Sequence, residues 1–316
     1  MKQTFFGLFL SMVILVLLLP LILIKCDTKP KGITVRLYLK DEKKIIPLEL
    51  EEYIKGVVAA EMPAEFHLEA LKAQAVAART VTIKRLKQFG GPGYQAVQGA
   101  DLSDDINDSQ AWLGKKDVLK KWGLFNYYAY WRKISRAVEE TSGLIITFEG
   151  KPIDAVYHST SGPKTENSED VWGVFQTYLR SVQCPFDKHS PRYFQEMTFS
   201  FTELQSRLGV DTDFPFLSNS FIRIINYTAS GRVKNIWIGG RVYQGKEIRS
   251  LLGLNSTLFT CEVSTNNKVV FKTIGYGHGV GLCQYGADGL GKLGKEYQDI
   301  IRYYYQGVKI QKLPFR

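Results

Sequence analysis

The chain is poor in cysteine. It has four in 316 residues (Cys26, Cys184, Cys261 and Cys283), and no two stand in a C-x-x-C or comparable spacing. That excludes a zinc knuckle built on the usual ligand pattern. Two readings of Cys184 and Cys261 stay open: a disulfide outside the membrane, or buried free thiols. Acidic residues are also in deficit, with 31 Asp and Glu against 41 Lys and Arg, for a net charge of +10. Such a balance suits polyanionic surroundings, whether nucleic acid, anionic lipid or a wall rich in carboxylate and phosphate. Composition does not choose among them, so location must. Disorder is excluded, because 45% of residues are hydrophobic and 23% charged, as in ordinary globular proteins. No internal repeat is present.

One stretch lacks charge altogether. Residues 5–24 carry no charged side chain, and only Ser11 and Pro20 interrupt their apolar character. About 20 such residues cross a bilayer core as a helix. The exit, Leu23-Ile24-Lys25-Cys26-Asp27, lacks the small residues of a signal-peptide cleavage site, and Lys25 stands where a lipoprotein cysteine needs a small neighbour. The segment is therefore predicted to be an uncleaved signal-anchor, with 25–32 a polar stalk. Lys2 lies before it, and Lys25, Lys29 and Lys31 after it, so the positive-inside rule gives no clean orientation. A long following domain translocates largely regardless of charge. Residues 33–316 are thus expected outside a cell membrane crossed once, as one body or as two lobes with a boundary near 195–220.

Within the body, periodicity predicts strands at 33–39 and 45–48, then helices at 50–60 and 68–88. Pro63 cannot sit inside a helix and biases Met62 away from helical angles, so the first helix must end near Glu61. Residues 101–110 read as loop, and 118–139 as helical in part. Two strands, 144–148 and 153–158, are expected around a turn, followed by a loop over 159–173. Strands follow at 222–227, 233–238, 258–263 and 269–273, with a short helix at 245–252. A glycine-rich loop spans 275–286 and a last helix 295–305. Helices and strands mix without steady βαβ alternation, so the fold class is α+β, with helices and antiparallel strands forming a cleft.

Four places could carry chemistry. Glu61 follows Gly56-Val57-Val58-Ala59-Ala60 at a forced helix end, where desolvation and the negative end of the dipole disfavour its ionised form. A carboxyl of raised pKa is what a general acid at a glycosidic bond requires, although taken alone a glutamate at a helix end is ordinarily a solvated surface residue. Lys72 and Arg79 are seven apart and share a face of an alanine-rich helix, with Gln74 between them. They could hold a carboxylate, or form a solvated stripe. Tyr157-His158-Ser159-Thr160-Ser161-Gly162 runs from a strand into a hydroxyl-rich loop. Neighbouring strand residues point to opposite faces, which argues against His158 activating Ser159. The stretch from Gly275 to Gly286 is rich in glycine. In it His278 and Cys283 form either a Cys–His catalytic pair or packing and ligand groups.

These blocks resemble the stage II sporulation protein D family. The resemblance rests on Glu52-Tyr53-Ile54-Lys55-Gly56-Val57-Val58-Ala59-Ala60-Glu61-Met62-Pro63 and on the run from Glu69 through Lys72, Gln74 and Arg79 to Thr80. It continues in Tyr157 to Gly162, Thr165-Glu166-Asn167 and Val171-Trp172-Gly173, and in Gly277-His278-Gly279-Val280-Gly281 with Gln284-Tyr285-Gly286. It implies a peptidoglycan lytic transglycosylase that acts on the septal wall during engulfment in sporulation. The cut falls between N-acetylmuramic acid and N-acetylglucosamine and leaves a 1,6-anhydro end. The implied catalytic acid is Glu61. Lys72, Gln74, Arg79 and His158 are expected at the groove, as are Ser159, Ser161, His278, Gln284 and Tyr285. No cofactor and no nucleic acid are expected. Some relatives hold zinc in the loop after the catalytic helices, but no Cys or His occurs here between Asp101 and Tyr157, so no metal is expected. Pro163 replaces a second glycine of the family pattern, and Cys283 a serine. The implied partners are glycan strands, preferably stripped of peptide, a sporulation amidase and a membrane-embedded sporulation protein. The rival within the family is a non-catalytic wall-binding enhancer of an amidase. Outside it, the rival is a Cys283–His278 peptidase.

Overall fold

The computed structural model describes residues 32–209, 221–264 and 268–313. The predicted anchor and nearly all of the stalk lie outside the described residues. Among those described, no helix is long and apolar enough to cross a membrane.

The body mixes helices and strands around two hydrophobic cores. In the first, β1 (Thr34–Leu39) buries Val35, Leu37 and Leu39 by simple alternation. It pairs antiparallel with β2 (Lys44–Glu49) and parallel with the two-residue β3 (Leu102–Ser103). Helix α1 (Leu50–Glu61) follows β2 without a linker and buries Leu50, Tyr53, Ile54, Val57 and Val58 along one face. Met62 after it is extended, at φ −121° and ψ 145°, as its proline neighbour requires.

Helix α2 (Leu68–Arg85) runs through the middle of this core, with Ala70, Ala73, Ala75, Ala77 and Ala78 all fully buried. It ends at Arg85, short of the predicted 88. Leu86 is extended and a 3-10 turn, Lys87–Phe89, takes over. The long α3 (Lys115–Glu140) packs against α1 and α2 and bends at Gly123, whose φ is +71°. β4 (Leu144–Phe148) pairs with β5 (Lys151–Pro152) on one side and β14 (Lys309–Lys312) on the other.

The expected strand at 153–158 shrinks to β6 (Tyr157–His158), because its partner is remote. It pairs parallel with β13 (Leu282–Cys283). The loop expected over 159–173 ends in a short helix, α4 (Ser168–Trp172).

The chain then builds a second core. β7 (Phe194–Ser200), α5 (Phe201–Leu208), β8 (Ile222–Tyr227), β9 (Val233–Ile238), β10 (Arg241–Gln244), α6 (Gly245–Leu252), β11 (Phe259–Ser264) and β12 (Lys268–Ile274) enclose Leu204, Phe221, Ile236, Ile248 and Phe271. Instead of ending there, the chain returns to the first core. The predicted glycine-rich loop becomes β13 and helix α7 (Gln284–Lys292), followed by α8 (Tyr297–Tyr304). The second lobe is thus an insertion, not a C-terminal half.

Candidate active site

Glu61 is placed by the end of α1 and by the segment that crosses it. Gly56 makes the crossing possible. A Cβ there would lie 2.2 Å from Trp112 Nε1 and 2.8 Å from the Leu113 carbonyl oxygen. With no side chain at Gly56, Leu113 N–H reaches its carbonyl at 3.3 Å. The adjacent Ala111 N–H then donates to Glu61 Oε1 at 2.9 Å. Lys121 on α3 covers the helix end, donating to the carbonyls of Ala59 at 2.9 Å and Ala60 at 3.4 Å. A cation on the last carbonyls of a helix satisfies acceptors that have no partner within it.

Burial dominates the charge state of Glu61 and raises its pKa above the ordinary carboxylate value. The Ala111 hydrogen bond, the nearby Gln284 amide and Tyr157 hydroxyl, and the Lys121 charge oppose the shift without cancelling it. Gln284 is buried on the first turn of α7, and its Nε2 closes no hydrogen bond. Tyr157 is held in place by a relay. Its hydroxyl donates to Gln110 Oε1 at 2.9 Å, and Gln110 Nε2 donates to Thr82 Oγ1 at 3.1 Å. Burial keeps Tyr157 protonated.

Two cavities meet at this carboxyl. One, of about 530 Å³, is lined by Arg85, Ile106, Gln110 and Ala111. The other, of about 540 Å³, is lined by Ser159, Arg192, Tyr276, Gln284 and Tyr285. Glu61, Tyr157 and His278 border both. Each volume is in the range of ligand sites, and Glu61 stands at the waist between them. Asp108, the other carboxylate in the lining, is exposed and accepts from the Tyr94 hydroxyl at 2.9 Å.

The expected groove residues divide. Ser159, His158, His278, Gln284 and Tyr285 line the second cavity beside Glu61. Lys72, Gln74 and Arg79 do not reach either cavity. Lys72 Nζ is held between Glu69 and Glu140, at 2.7 Å from each. Arg79 is wholly buried. Its Nη2 donates to Glu51 Oε2 at 2.6 Å, its Nε to Glu51 Oε1 at 3.0 Å and its Nη1 to the Leu144 carbonyl at 3.1 Å. The shared helical face is real, but it looks at Glu51 and Glu140, away from the acid. Gln74 is wholly buried and its amide has no protein partner; nothing in the structure explains it. Ser161 is also buried, and its backbone N–H donates to Asp187 Oδ2 at 2.7 Å.

Both histidines are fully occupied. His158 lies with Nδ1 3.0 Å from the Val280 carbonyl and Nε2 2.8 Å from Ser161 Oγ. A carbonyl only accepts, so Nδ1 carries the proton and Nε2 accepts from the serine. His278 uses the other tautomer. Its Nε2 donates to the Tyr157 carbonyl at 3.0 Å, and Nδ1 accepts from Val280 N–H at 3.1 Å. Burial, helped by the Arg249 charge, pushes His278 down to about 4, and burial holds His158 well below its usual value. Neither ring is free to act as a base. His278 offers the cleft a neutral ring, backed by Trp172 at 5.1 Å between centroids.

Cys283 does not touch His278. It is wholly buried, and its Sγ caps α7 by accepting from Gly286 N–H at 3.3 Å. Ser is a preferred residue at that capping position, which accounts for the serine expected from the family. Burial raises the Cys283 thiol far above its ordinary pKa, which disfavours the thiolate that a nucleophile needs. Cys184 belongs to the first core and Cys261 to β11 of the second lobe, and both are free thiols. The disulfide reading is therefore set aside. Cys184, Asp187 and Cys283 do bring metal-capable atoms within 4.8 Å of one another. Asp187 Oδ2 accepts from the Ser161 and Gly162 N–H groups, Cys283 Sγ accepts from Gly286 N–H and Cys184 Sγ lies 3.2 Å from the Tyr304 hydroxyl, while Asp187 Oδ1 is buried without a partner.

The sequence model of the family described as "Stage II sporulation protein" matches residues 38–148, the stretch that carries Glu61, Gln110 and Ala111. Stage II sporulation protein D of Bacillus subtilis (strain 168) is 39% identical over 284 residues, covering 90% of this chain and 80% of that protein. The chain belongs to the stage II sporulation protein D family. The protein of the same name from Bacillus amyloliquefaciens matches to the same extent. A protein called "Amidase enhancer" from Bacillus subtilis (strain 168) is 26% identical over 311 residues, covering 81% of this chain but 40% of that protein. Of the blocks singled out in the sequence, the one around Glu61 lies inside the stretch that the family model matches. The relay through Gln110, the Ala111 donor and the Lys121 cap were not singled out in the sequence, because they come from a segment that reads only as loop and from a remote helix.

Proposed function

We propose that this chain is a peptidoglycan lytic transglycosylase with Glu61 as its one acid and base. A single observation carries the reading: a half-buried carboxyl of raised pKa at the waist of a two-sided cleft. A glycan strand laid through the cleft spans Glu61, with sugars on either side. Protonated Glu61 donates to the oxygen bridging N-acetylmuramic acid and N-acetylglucosamine, and the bond to the muramoyl C1 breaks. The carboxylate formed then takes the proton of the muramoyl 6-hydroxyl as that oxygen closes on C1. The product is a 1,6-anhydro ring, no water is consumed, and Glu61 ends protonated, ready for the next bond. Two-carboxylate hydrolysis would need a second acid or base at the waist, and Asp108 is exposed and bound to Tyr94. The Ala111 N–H holds the carboxyl in place, Gln284 offers a neutral amide donor beside it, and Tyr157 stays protonated with its one proton given to Gln110.

The wider setting belongs to the same proposal. Residues 5–24 anchor the chain in the cell membrane with the body outside, where it acts on the septal wall during engulfment, next to an amidase and a membrane-embedded sporulation protein. The relative named as an amidase enhancer favours a second reading, in which the cleft binds wall glycan and stimulates an amidase without cutting. Product masses from purified glycan strands decide between the two. The first reading predicts fragments with anhydro ends, each lighter by one water than a hydrolysis product. Ordinary reducing ends would replace the mechanism, and bound but uncut strands would favour the enhancer.

A further inference from the structure

The cleft continues past the Glu61 waist into a third cavity of about 410 Å³. It is lined by Arg192, Lys246 and Arg249 together with Ser250, Asn255 and Tyr276, and no acidic residue takes part in its lining. Arg192, Arg249 and Tyr276 also border the cavity that holds Glu61, so the two spaces are joined.

The cations here differ from the paired ones elsewhere in the molecule. Arg79 has Glu51, Lys72 has Glu69 and Glu140, and Arg180 has Glu169. Arg249, half-buried on α6, has no hydrogen bond and no ion pair among the described residues. A further cavity of about 290 Å³, which Lys246 and Arg249 also border, carries three acids, and each is already engaged: Glu169 by Arg180, Asp170 by Lys234, and Glu166 by the Thr228 and Ser230 hydroxyls. Glu247, also on α6, turns back to cap the helix at Gln244 N–H. Arg192 lays its guanidinium over the Tyr276 ring, 4.5 Å from the centroid, which fixes its plane while leaving its N–H groups without an acid. Removing an unpaired guanidinium from water is unfavourable, and bringing three like charges to one space adds to that cost. An anion in the cavity relieves both terms.

We propose that Arg192 and Arg249, with Lys246 at the rim, form an anion subsite that takes a free carboxylate on the glycan beside the bond presented to Glu61. The inference rests on the glycan reading of the cleft. In a peptide-free strand the carboxylate is that of the lactyl ether on the muramoyl sugar; where a peptide is attached, that group is a neutral amide. The planar guanidinium fork suits a carboxylate. The subsite gives the second lobe, which supplies Lys246 and Arg249, a part in choosing the substrate.

The test is calorimetric binding of a muramoyl-containing tetrasaccharide to the full chain in detergent, in a Glu61→Gln background so that nothing is cut. The free acid and its lactyl methyl ester are compared. The expected result is that the free acid binds on the order of 10- to 100-fold more tightly, the range of a lost charged hydrogen bond. Arg249→Gln should bring the two ligands to equal affinity, and Arg249→Lys should restore part of the difference. If Arg249→Gln fails to fold, Arg192→Gln replaces it with the same expectation. Equal binding of acid and ester by the parent overturns the proposal, and so does discrimination that survives both substitutions. Poly(glycerol phosphate) is the second probe. If it binds through Arg249 while the tetrasaccharide does not, the subsite serves a phosphate polymer and the carboxylate assignment is wrong. None of these readouts requires turnover, so a failure of the transglycosylase chemistry would not be mistaken for a failure of the subsite.

Discussion

Arg79 separates a catalytic from a structural role most sharply, and Arg79→Leu is the perturbation that does so. The guanidinium is wholly buried, and Glu51 is exposed to only 16%. Glu51 also accepts from Gly143 N–H at 3.1 Å, so the pair ties α1, α2 and the start of β4 together. Leucine fills part of the volume but leaves a carboxylate without its cation and the Leu144 carbonyl without its donor. Removing one partner of a buried pair costs about 3–5 kcal/mol. For a body of this size about 1 kcal/mol moves the melting temperature by roughly 2–4 °C, so the expected loss is on the order of 6–20 °C. Thermal melts of the parent and the variant give the shift, and cleavage of stripped glycan well below the lower midpoint gives turnover per folded molecule. The second should stay within a few-fold of the parent. A variant that melts like the parent while losing turnover would refute the reasoning and return Arg79 to the active site.

Other expectations follow from the same geometry. Glu61→Gln should abolish cleavage, by at least on the order of 10²–10⁴ in rate. It should also stabilise the fold at neutral pH: burial raises the native pKa of Glu61, so the stability tied to its proton is complete below the ordinary carboxylate value and is lost as pH rises through the raised one. Glutamine does not titrate, so its advantage, on the order of 0.5–2 kcal/mol at neutral pH, should vanish in acid, and a variant less stable than the parent at neutral pH would contradict this. Cys283→Ser keeps the helix cap and should retain most activity, while Cys283→Ala should lose about 1 kcal/mol in urea unfolding; a dead serine variant would reopen thiol chemistry. Gly56→Ala pushes Trp112 and Leu113 away and should lower turnover with a loss of about 1–3 kcal/mol; unchanged turnover would mean that the Ala111 contact does not position Glu61. Protease added to wall-stripped cells should digest the body, whereas protection would place it on the other side of the membrane.

The parts of the fold that were legible are those set by local chemistry. Met62-Pro63 ends α1 wherever the rest of the chain lies, and alternation along β1 needs only its own side chains. What depends on remote partners was not legible. The strand at 153–158 shortens because its tail pairs with Leu282 and Cys283 instead of its neighbour. Spacing places Lys72 and Arg79 on one face of α2, but only packing decides what that face meets. The same holds for the glycines. Their abundance signals close approach, yet the approach of Gly279, at φ +85°, to the Arg232 guanidinium 2.6 Å from its would-be Cβ joins parts far apart in sequence. Arg192 and Arg249 had no local signature at all.

The second lobe leaves and rejoins the rest of the chain through strands that lie side by side: Phe194 of β7 faces Ile274 of β12, and Gly275 N–H donates to the Tyr193 carbonyl at 2.8 Å. It is a cassette whose two ends share one seam, docked further along by Arg232 on the Ser161 carbonyl and by Thr228 and Ser230 on Glu166. Residues can be gained, lost or exchanged beyond that seam without altering the spacing of its two ends, which the ladder fixes at the width of one strand pair. Glu61, Ala111 and Tyr157 all lie outside the cassette, whereas Lys246 and Arg249 lie within it. Descendants of this chain can therefore revise what one arm of the cleft holds while the bond-breaking carboxyl stays where it is.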